Sequence, residues 1–327
     1  MFSLIEMLKY KRPEGSITQM DFCIRFLEPS FGLPDIHGNY VKIVNNNGKQ
    51  PNICFMAHHD TVHKKEGMQK VRVKNDKAYI HSTKVSSCLG ADCTTGVWLI
   101  LNMIEHNIPG VYVIHSGEES GCIGSSALVK DKPDWLDHIE GAISFDRYGT
   151  KSIVTHQMGV RTASDTFAKC LADVLGMPKL KADTGGSFTD SNEYKDIVSE
   201  CTNISVGYYN QHTQSESQDL LYADELCNAL VNADWSKLTF HRDPSVYEYD
   251  RYRWGFNRYD YMDNYYDGFN LGYDKDDARD LFDIVCDYPE EIVEILQSYG
   301  ITANQLREDL NLYDNGYINN YLSKTGG

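Results

Sequence analysis

The sequence predicts an α/β protein: a three-layer α/β/α sandwich around a mixed, mostly parallel central sheet, followed by a small acidic, mostly helical C-terminal module. Three observations carry this. Apolar strand-like runs alternate with helix-length amphipathic segments through residues 1–240, the pattern of a sheet covered by helices on both faces. One run, Ile53 to Ala57, is continuously apolar, as a strand buried on both sides must be. Beyond residue 240 the character changes: residues 242–327 hold 18 Asp+Glu against 8 Lys+Arg, so −10 of the formal net charge of −16 lies in this last quarter. Two domains are therefore expected, 1–240 and 241–327.

Residues 1–30 read as two amphipathic helices split by Arg12-Pro13-Glu14-Gly15 and packed outside the sheet. The second opens with Ser16 three residues before Gln19, the spacing of a capping box. Tyr40 to Val44 alternates in the manner of a strand, and Val71-Arg72-Val73 and Ala78-Tyr79-Ile80 follow. A helix is expected over Gly96–Ile104, a strand over Val111–Ile114, another from Ile139 to Phe145, a helix from Ala163 to Leu175, a strand from Asn203 to Tyr208, and a helix at about 218–237. In 244–273, eight tyrosines interleave with Asp, Arg and Asn; that aromatic density favours an ordered docking or oligomerisation element over disorder. Helices are expected beyond it at 276–285, at 289–297 with Pro289 at the start and Gly300 past the end, and at 302–310 behind Thr302.

Composition narrows the function. A chain of 327 residues buries a substantial core. Its negative charge argues against nucleic acid and against an anionic membrane surface, both of which recruit Lys and Arg. Nine cysteines, odd in number and with no CxxC pair, read as reduced thiols. The N-terminus lacks a basic segment followed by an apolar run, and no stretch has roughly 18 consecutive apolar residues, so neither a secretory signal nor a membrane span is expected. The expectation is a cytoplasmic protein.

Polar residues collect where the strands end, which is where α/β sheets bind ligands. His58, Glu118 and Glu119, Asp146 and His212 fall there, with Asp60 two residues past His58, while Asp92 sits on a tight glycine-flanked turn opening a helix, in Leu89-Gly90-Ala91-Asp92-Cys93-Thr94-Thr95-Gly96. Two zinc ions about 3.5–4 Å apart need a shared carboxylate, further N/O ligands on each side and an open position for water. Asp92 suits the bridge, His58 with Asp146 one ion, and Glu119 with His212 the other. Asp60 lies two residues beyond His58, on the same face, and can hold the imidazole in its metal-binding tautomer. Glu118 is the candidate general base. Zn²⁺ fits this donor set, with Co²⁺ and Mn²⁺ as alternatives. His59 and His63 read as solvated or structural. Cys93 has alternative readings as a soft ligand or a nucleophile, although the oxygen and nitrogen set is complete without it. Asp190 and Asn192 either bind substrate or close the glycine-rich turn, and Tyr208, Tyr209 and His156 are candidate oxyanion donors.

The order His58-x-Asp60, Gly90-Ala91-Asp92, Gly117-Glu118-Glu119-Ser120-Gly121, Asp146, His212 closely resembles the co-catalytic di-zinc exopeptidases, the clan of leucyl-aminopeptidase-like, peptidase T-like and aminoacylase-like enzymes. The resemblance covers roughly residues 35–240. It implies a helix-sandwiched mixed sheet and the ligand and base roles given above. Only 66 positions separate Asp146 from His212, too few for the lid that some subfamilies insert, yet Thr184-Gly185-Gly186-Ser187-Phe188-Thr189-Asp190-Ser191-Asn192 resembles the glycine-rich loop of peptidase T-like members. Cys93 stands where these families commonly have a second Asp; the resemblance also implies a cis peptide at Asp92–Cys93.

The reading is a metallo-exopeptidase, an aminopeptidase or di/tripeptidase acting on short peptides. Its rivals are an N-acyl amino acid amidohydrolase on the same scaffold, with an acylated amino acid as substrate, and a non-catalytic relative that persists as a binding or assembly module; under any of these readings the C-terminal module is a candidate site of homo-oligomerisation.

Overall fold

The computed structural model describes residues 2–45 and 48–246, together with the isolated helical positions Ile292, Val293 and Leu296. The chain divides into two units, residues 1–255 and 256–327. The Tyr-rich stretch beyond residue 246 and the helices expected at 276–285, 289–297 and 302–310 otherwise lie outside the described residues.

Seven strands form the central sheet: β1 (Tyr40–Val44), β2 (Ile53–His58), β3 (Gly110–His115), β4 (Gly141–Arg147), β5 (Ser152–Val154), β6 (Lys181–Asp183) and β7 (Glu200–Ser205), in the order β6-β5-β7-β4-β2-β3-β1. Strands β7, β4, β2 and β3 are parallel. β1 runs antiparallel to β3, and β5, which pairs in parallel with β6, runs antiparallel to β7. This is the mixed, mostly parallel sheet the sequence predicts.

The period of two decides which side chain meets which layer. Along β2, Ile53, Phe55 and Ala57 enter one apolar cluster while Cys54 and Met56 enter the other. β3 divides the same way, with Tyr112 and Ile114 against Val111 and Val113. The larger cluster is covered by the helices Ala91–Glu105, Asp165–Val174 and Leu220–Asn232, the smaller by Ile123–Asp131 and the segment around Tyr194 and Val198. A strand flanked on both faces has no polar side to present, which is why its sequence is continuously apolar.

Three expectations change. The first N-terminal helix is only Leu4–Met7; the chain then extends as Tyr10–Lys11 and pairs with Gly67–Met68, so that Tyr10 packs edge-on against Phe22 and Phe26 at 5.7 and 5.4 Å. The second helix starts as expected, with Ser16 accepting from the Gln19 amide at 3.1 Å, but Gln19 Oε1 accepts from the Gly15 amide rather than that of Ser16. The strand expected to run to Tyr208 ends at Ser205. Tyr208–Tyr209 belongs instead to a separate four-stranded antiparallel sheet with Ser217–Asp219, Lys77–Ile80 and Val71–Lys74. All eight described cysteines are free. No helix among the described residues is long and apolar enough to cross a membrane.

His115, at the end of β3, is fully buried between Asn39 Oδ1 (3.1 Å from Nδ1) and the Tyr194 hydroxyl (3.2 Å from Nε2). Burial lowers its pKa from 6.5 to about 3. The unfolded chain thus takes up a proton that the folded chain refuses between those values, and stability drops as pH falls through the window, by about 1.4 kcal/mol per pH unit for this one group. Urea unfolding across that range is expected to show a shallower acid loss in His115→Gln than in the parent; parallel curves would contradict the assignment.

Candidate metal centre

Four parallel strands deliver their carboxyl ends to one edge. β2 ends in His58 and continues to Asp60; β3 leads into Glu118 and Glu119; β4 carries Asp146; β7 leads to the hairpin that holds His212. Asp92 comes from the opening turn of the helix Ala91–Glu105, where its backbone (φ −75°, ψ 107°) is not helical and its peptide bond to Cys93 is cis, as the resemblance implies. Two glycines make the turn's placement feasible. Gly90 takes φ +73°, in the left-handed region, and a Cβ there would approach His63 Cε1 to 2.7 Å. A Cβ on Gly96 would overlap the Phe145 carbonyl oxygen, so glycine lets the helix sit directly on β4 beside Asp146.

All seven candidate residues come together. Asp92 faces two ways: Oδ1 lies 3.2 Å from His58 Nε2 and Oδ2 lies 3.1 Å from His212 Nε2. His58 Nε2 is also 3.5 Å from Asp146 Oδ1 and 3.8 Å from Glu118 Oε2. Asp92, Glu119 and His212 form one group of donors within 4.8 Å of one another, and His58 with Asp146 and Cys93 another. His212 side-chain exposure is 48%, whereas Asp92 and Glu119 are near 10%, so the Asp92–Glu119–His212 side is the one that opens outward.

Asp60 does more than expected. Its Oδ1 is 3.2 Å from His58 Nδ1 and accepts from the Glu118 amide at 3.1 Å, while Oδ2 accepts from the Glu119 amide at 3.0 Å. One carboxylate thus orients a candidate ligand and anchors the turn carrying the candidate base. Asp146 is gripped equally firmly. Asn203 accepts from its amide and donates to its carbonyl at 2.9 and 2.8 Å, Thr189 donates to Oδ2 at 2.8 Å, and the Tyr208 hydroxyl donates to the carbonyl at 2.9 Å, 3.2 Å from Oδ1. Tyr208 is therefore committed to holding Asp146.

The residue that sequence reasoning missed is Glu216. Fully buried, it accepts from four successive amides: Leu89 (2.8 Å) and Gly90 (2.9 Å) on Oε2, Ala91 (2.8 Å) and Asp92 (3.2 Å) on Oε1. It stands four residues past His212, so the hairpin bearing one candidate ligand also clamps the turn bearing the bridge. An acidic residue in the polar run Gln214-Ser215-Glu216-Ser217-Gln218 gives no periodic signal of this role. Beneath the same turn, buried Arg12 lies over the Phe22 ring (3.7 Å) and donates to Thr94 Oγ1 at 2.8 Å.

The electrostatics are those of a cation site. Burial raises the Glu118 carboxyl well above its ordinary value and, with the nearby Asp92 charge, takes Asp146 up to about 7. Burial also raises Glu119. Hydrogen bonding to Asp92 and Glu119 lifts His212 to about 11. For His58, burial opposes the charged form, but Cys93, Glu118 and Asp146 outweigh it and raise the imidazole. Asp92 and Asp60 stay low because their histidine hydrogen bonds outweigh burial. Five carboxyl groups share this space with two imidazoles, a surplus of negative charge that divalent cations relieve. Glu119 Oε1 and Asp92 Oδ2 both lie 3.1 Å from His212 Nε2, so three candidate donor atoms gather at one point. The donor set is all imidazole and carboxylate, and the residues fit two bridged ions.

The remaining candidates sort out by contact. His59 is buried between Gln19 (3.0 Å) and Gly38 O (3.2 Å), and His63 between Thr61 (2.7 Å) and Cys88 O (3.1 Å), so both are structural and neither is solvated. Cys93 Sγ donates to Phe145 O at 3.1 Å, its thiol pushed up by burial. Asp190 is buried with Oδ1 unpartnered, and Asn192, also buried, closes the turn with its amide on Thr189 O at 2.8 Å. His156 is buried in the hairpin with Val160–Arg161, outside the lining of the cavity over the metal centre.

Residues 39–177 match the profile of peptidase family M28. A comparison with the curated proteins finds no match. Solved structures of similar fold include the aminopeptidase PepT from Bacillus cereus (TM-score 0.58, 15% identity, 70% of this chain and 95% of that one) and a tripeptidase from Staphylococcus aureus (TM-score 0.57, 15%, 70% and 95%). An aminopeptidase from the archaeon Desulfurococcus kamchatkensis is also similar (TM-score 0.54, 13%, 74% and 95%). At these identities the likeness speaks for the fold. With the family match, it upholds the resemblance to the co-catalytic exopeptidase clan and, as class of enzyme, a metal-dependent peptidase.

Outer residues that orient ligands typically tune metal affinity about 10–100-fold. Glu216→Gln, which keeps one acceptor oxygen for the turn, is expected to weaken zinc binding by that order in a chelator competition while the helical circular dichroism stays as in the parent. Unchanged affinity would show that the clamp does not set the geometry of Asp92.

Proposed function

We propose, for this metal-dependent exopeptidase, a two-cation hydrolytic centre in which Asp92 is shared, His58 and Asp146 complete one side, Glu119 and His212 complete the other, and Glu118 is the general base. The observation that carries this reading is the division of Asp92, one oxygen toward each histidine. The substrate class is an unblocked short peptide, the reaction that of an aminopeptidase or di/tripeptidase. Two divalent cations, zinc by the chemistry of the donors with cobalt or manganese as alternatives, would polarise the scissile carbonyl and make a water nucleophilic near neutral pH.

The chain's own residues supply the rest. Glu118, kept protonatable by burial, takes a proton from the attacking water and returns it to the departing amine. Asp60 fixes both the tautomer of His58 and the backbone that aims Glu118, so a shift in one shifts the other. Tyr208 and Thr189 hold the Asp146 carboxylate and Asn203 its backbone, which removes the reorganisation that a mobile ligand would need. A site with every ligand and base position filled also argues against a non-catalytic relative. The C-terminal module, by its charge and tyrosine content, is a candidate assembly element of the same protein.

Glu118→Gln removes the proton acceptor and leaves the ligand set intact. It is expected to abolish turnover, by about 10²–10⁴-fold, with the metal content of the parent. Persistent hydrolysis would refute Glu118 as the base. Free dipeptides are expected to be cleaved and their N-acetylated counterparts spared; the reverse preference would assign the scaffold to N-acyl amino acid hydrolysis.

A further inference from the structure

Arg147 follows Asp146 at the end of β4, is 6% exposed, and lines the cavity of about 400 Å³ over Asp92, Glu118 and His212. Tyr148, Met158 and Phe188 give that cavity an apolar wall. Nη2 of Arg147 donates to Asp183 Oδ2 (3.0 Å) and Gly185 O (2.8 Å), which take its two hydrogens, and lies 3.5 Å from the Tyr148 hydroxyl. Its plane is held against the Tyr148 ring, with Cζ 4.3 Å from the centroid. Nε is buried and has no acceptor. A guanidinium is a rigid fork of five N–H donors matched to two oxygens of one carboxylate, and a buried donor without an acceptor is a rare arrangement. Apart from His212, every ionisable side chain of the lining other than Arg147 is a carboxyl, thiol or phenol, so Arg147 is the permanent cation of this wall.

We propose that Arg147 is a specificity-determining residue that binds a carboxylate of the substrate, so that the peptides taken are anionic at one end of the cavity. The inference rests on the exopeptidase reading above and narrows its substrate class. A carboxylate reaches this position from one of two sources, the free C-terminus of a di- or tripeptide or an acidic side chain next to the scissile bond. The Asp183 and Gly185 contacts fix the guanidinium in place, and the loop from Gly185 to Phe188 closes that side of the cavity.

The test uses the full chain loaded with Zn²⁺ and two matched pairs: Ala-Ala against Ala-Ala amide, and a glutamyl against a glutaminyl anilide. The parent is expected to prefer the carboxylate member of at least one pair by about tenfold or more in kcat/KM, carried in KM, and the responsive pair identifies the source. Arg147→Gln is expected to bring that ratio close to one, and Arg147→Lys to keep its sign at reduced size. If Arg147 only anchors the loop, Arg147→Gln lowers both members of a pair by the same factor, and an unchanged ratio overturns the proposal. A parent without preference in either pair overturns it even if no variant folds. Cleavage of the neutral amides without preference sinks the Arg147 assignment alone, whereas failure to cleave any peptide sinks the exopeptidase reading with it.

Discussion

Asp92 presents one carboxylate oxygen to each of two histidines that lie 154 positions apart in the chain. The turn is held from outside, by Glu216, whose two oxygens accept the four amides from Leu89 to Asp92. Left unpaired in the interior, those amides would each carry the penalty of a lost hydrogen bond, about 1–3 kcal/mol apiece. Because Glu216 is on the hairpin that also carries His212, one hairpin positions both the bridge and the outer ligand. The proposed metal pair therefore depends on a contact between the turn that carries Asp92 and the hairpin that carries His212, the last of the candidate ligands in the chain.

The sheet explains why so much charge can be gathered at one edge. Four parallel strands end side by side; three deliver a polar residue at or just past the end of their buried run, and the fourth leads into the hairpin that carries His212. Below that edge the layers are apolar on both faces; above it, five carboxyl groups crowd around two imidazoles. In such surroundings water alone solvates the anions poorly, and the groups respond by holding protons or attracting cations. Asp60 shows how economical the arrangement is, since the same carboxylate that orients His58 also receives the two amides of the turn bearing Glu118 and Glu119.

What the amino-acid sequence made legible follows from the range of the interactions involved. The strands β2, β3 and β4 were readable because double burial writes itself into every successive residue, and His58, Glu119 and Asp146 were readable because they fall at or just past those strand ends, whereas Asp92 was readable from the glycines flanking its turn. Glu216 was not, since its partners are about 125 positions away and its neighbours are ordinary polar residues. Thr189 and Asn203, which hold Asp146, were hidden for the same reason. The N-terminal segment misled in another way: the short-range pattern around Tyr10 suits a helix, but pairing with Gly67–Met68 and packing against Phe22 and Phe26 draw it into an extended conformation. Long-range contacts override local preference there.

The central claim is that one carboxylate joins two cations. Anomalous scattering at the zinc edge from crystals grown with Zn²⁺ tests it most directly. The account predicts two peaks about 3.5–4 Å apart on either side of the Asp92 carboxylate, one against His58 and Asp146 and the other against Glu119 and His212. A single peak, or two peaks that do not share Asp92, would contradict it.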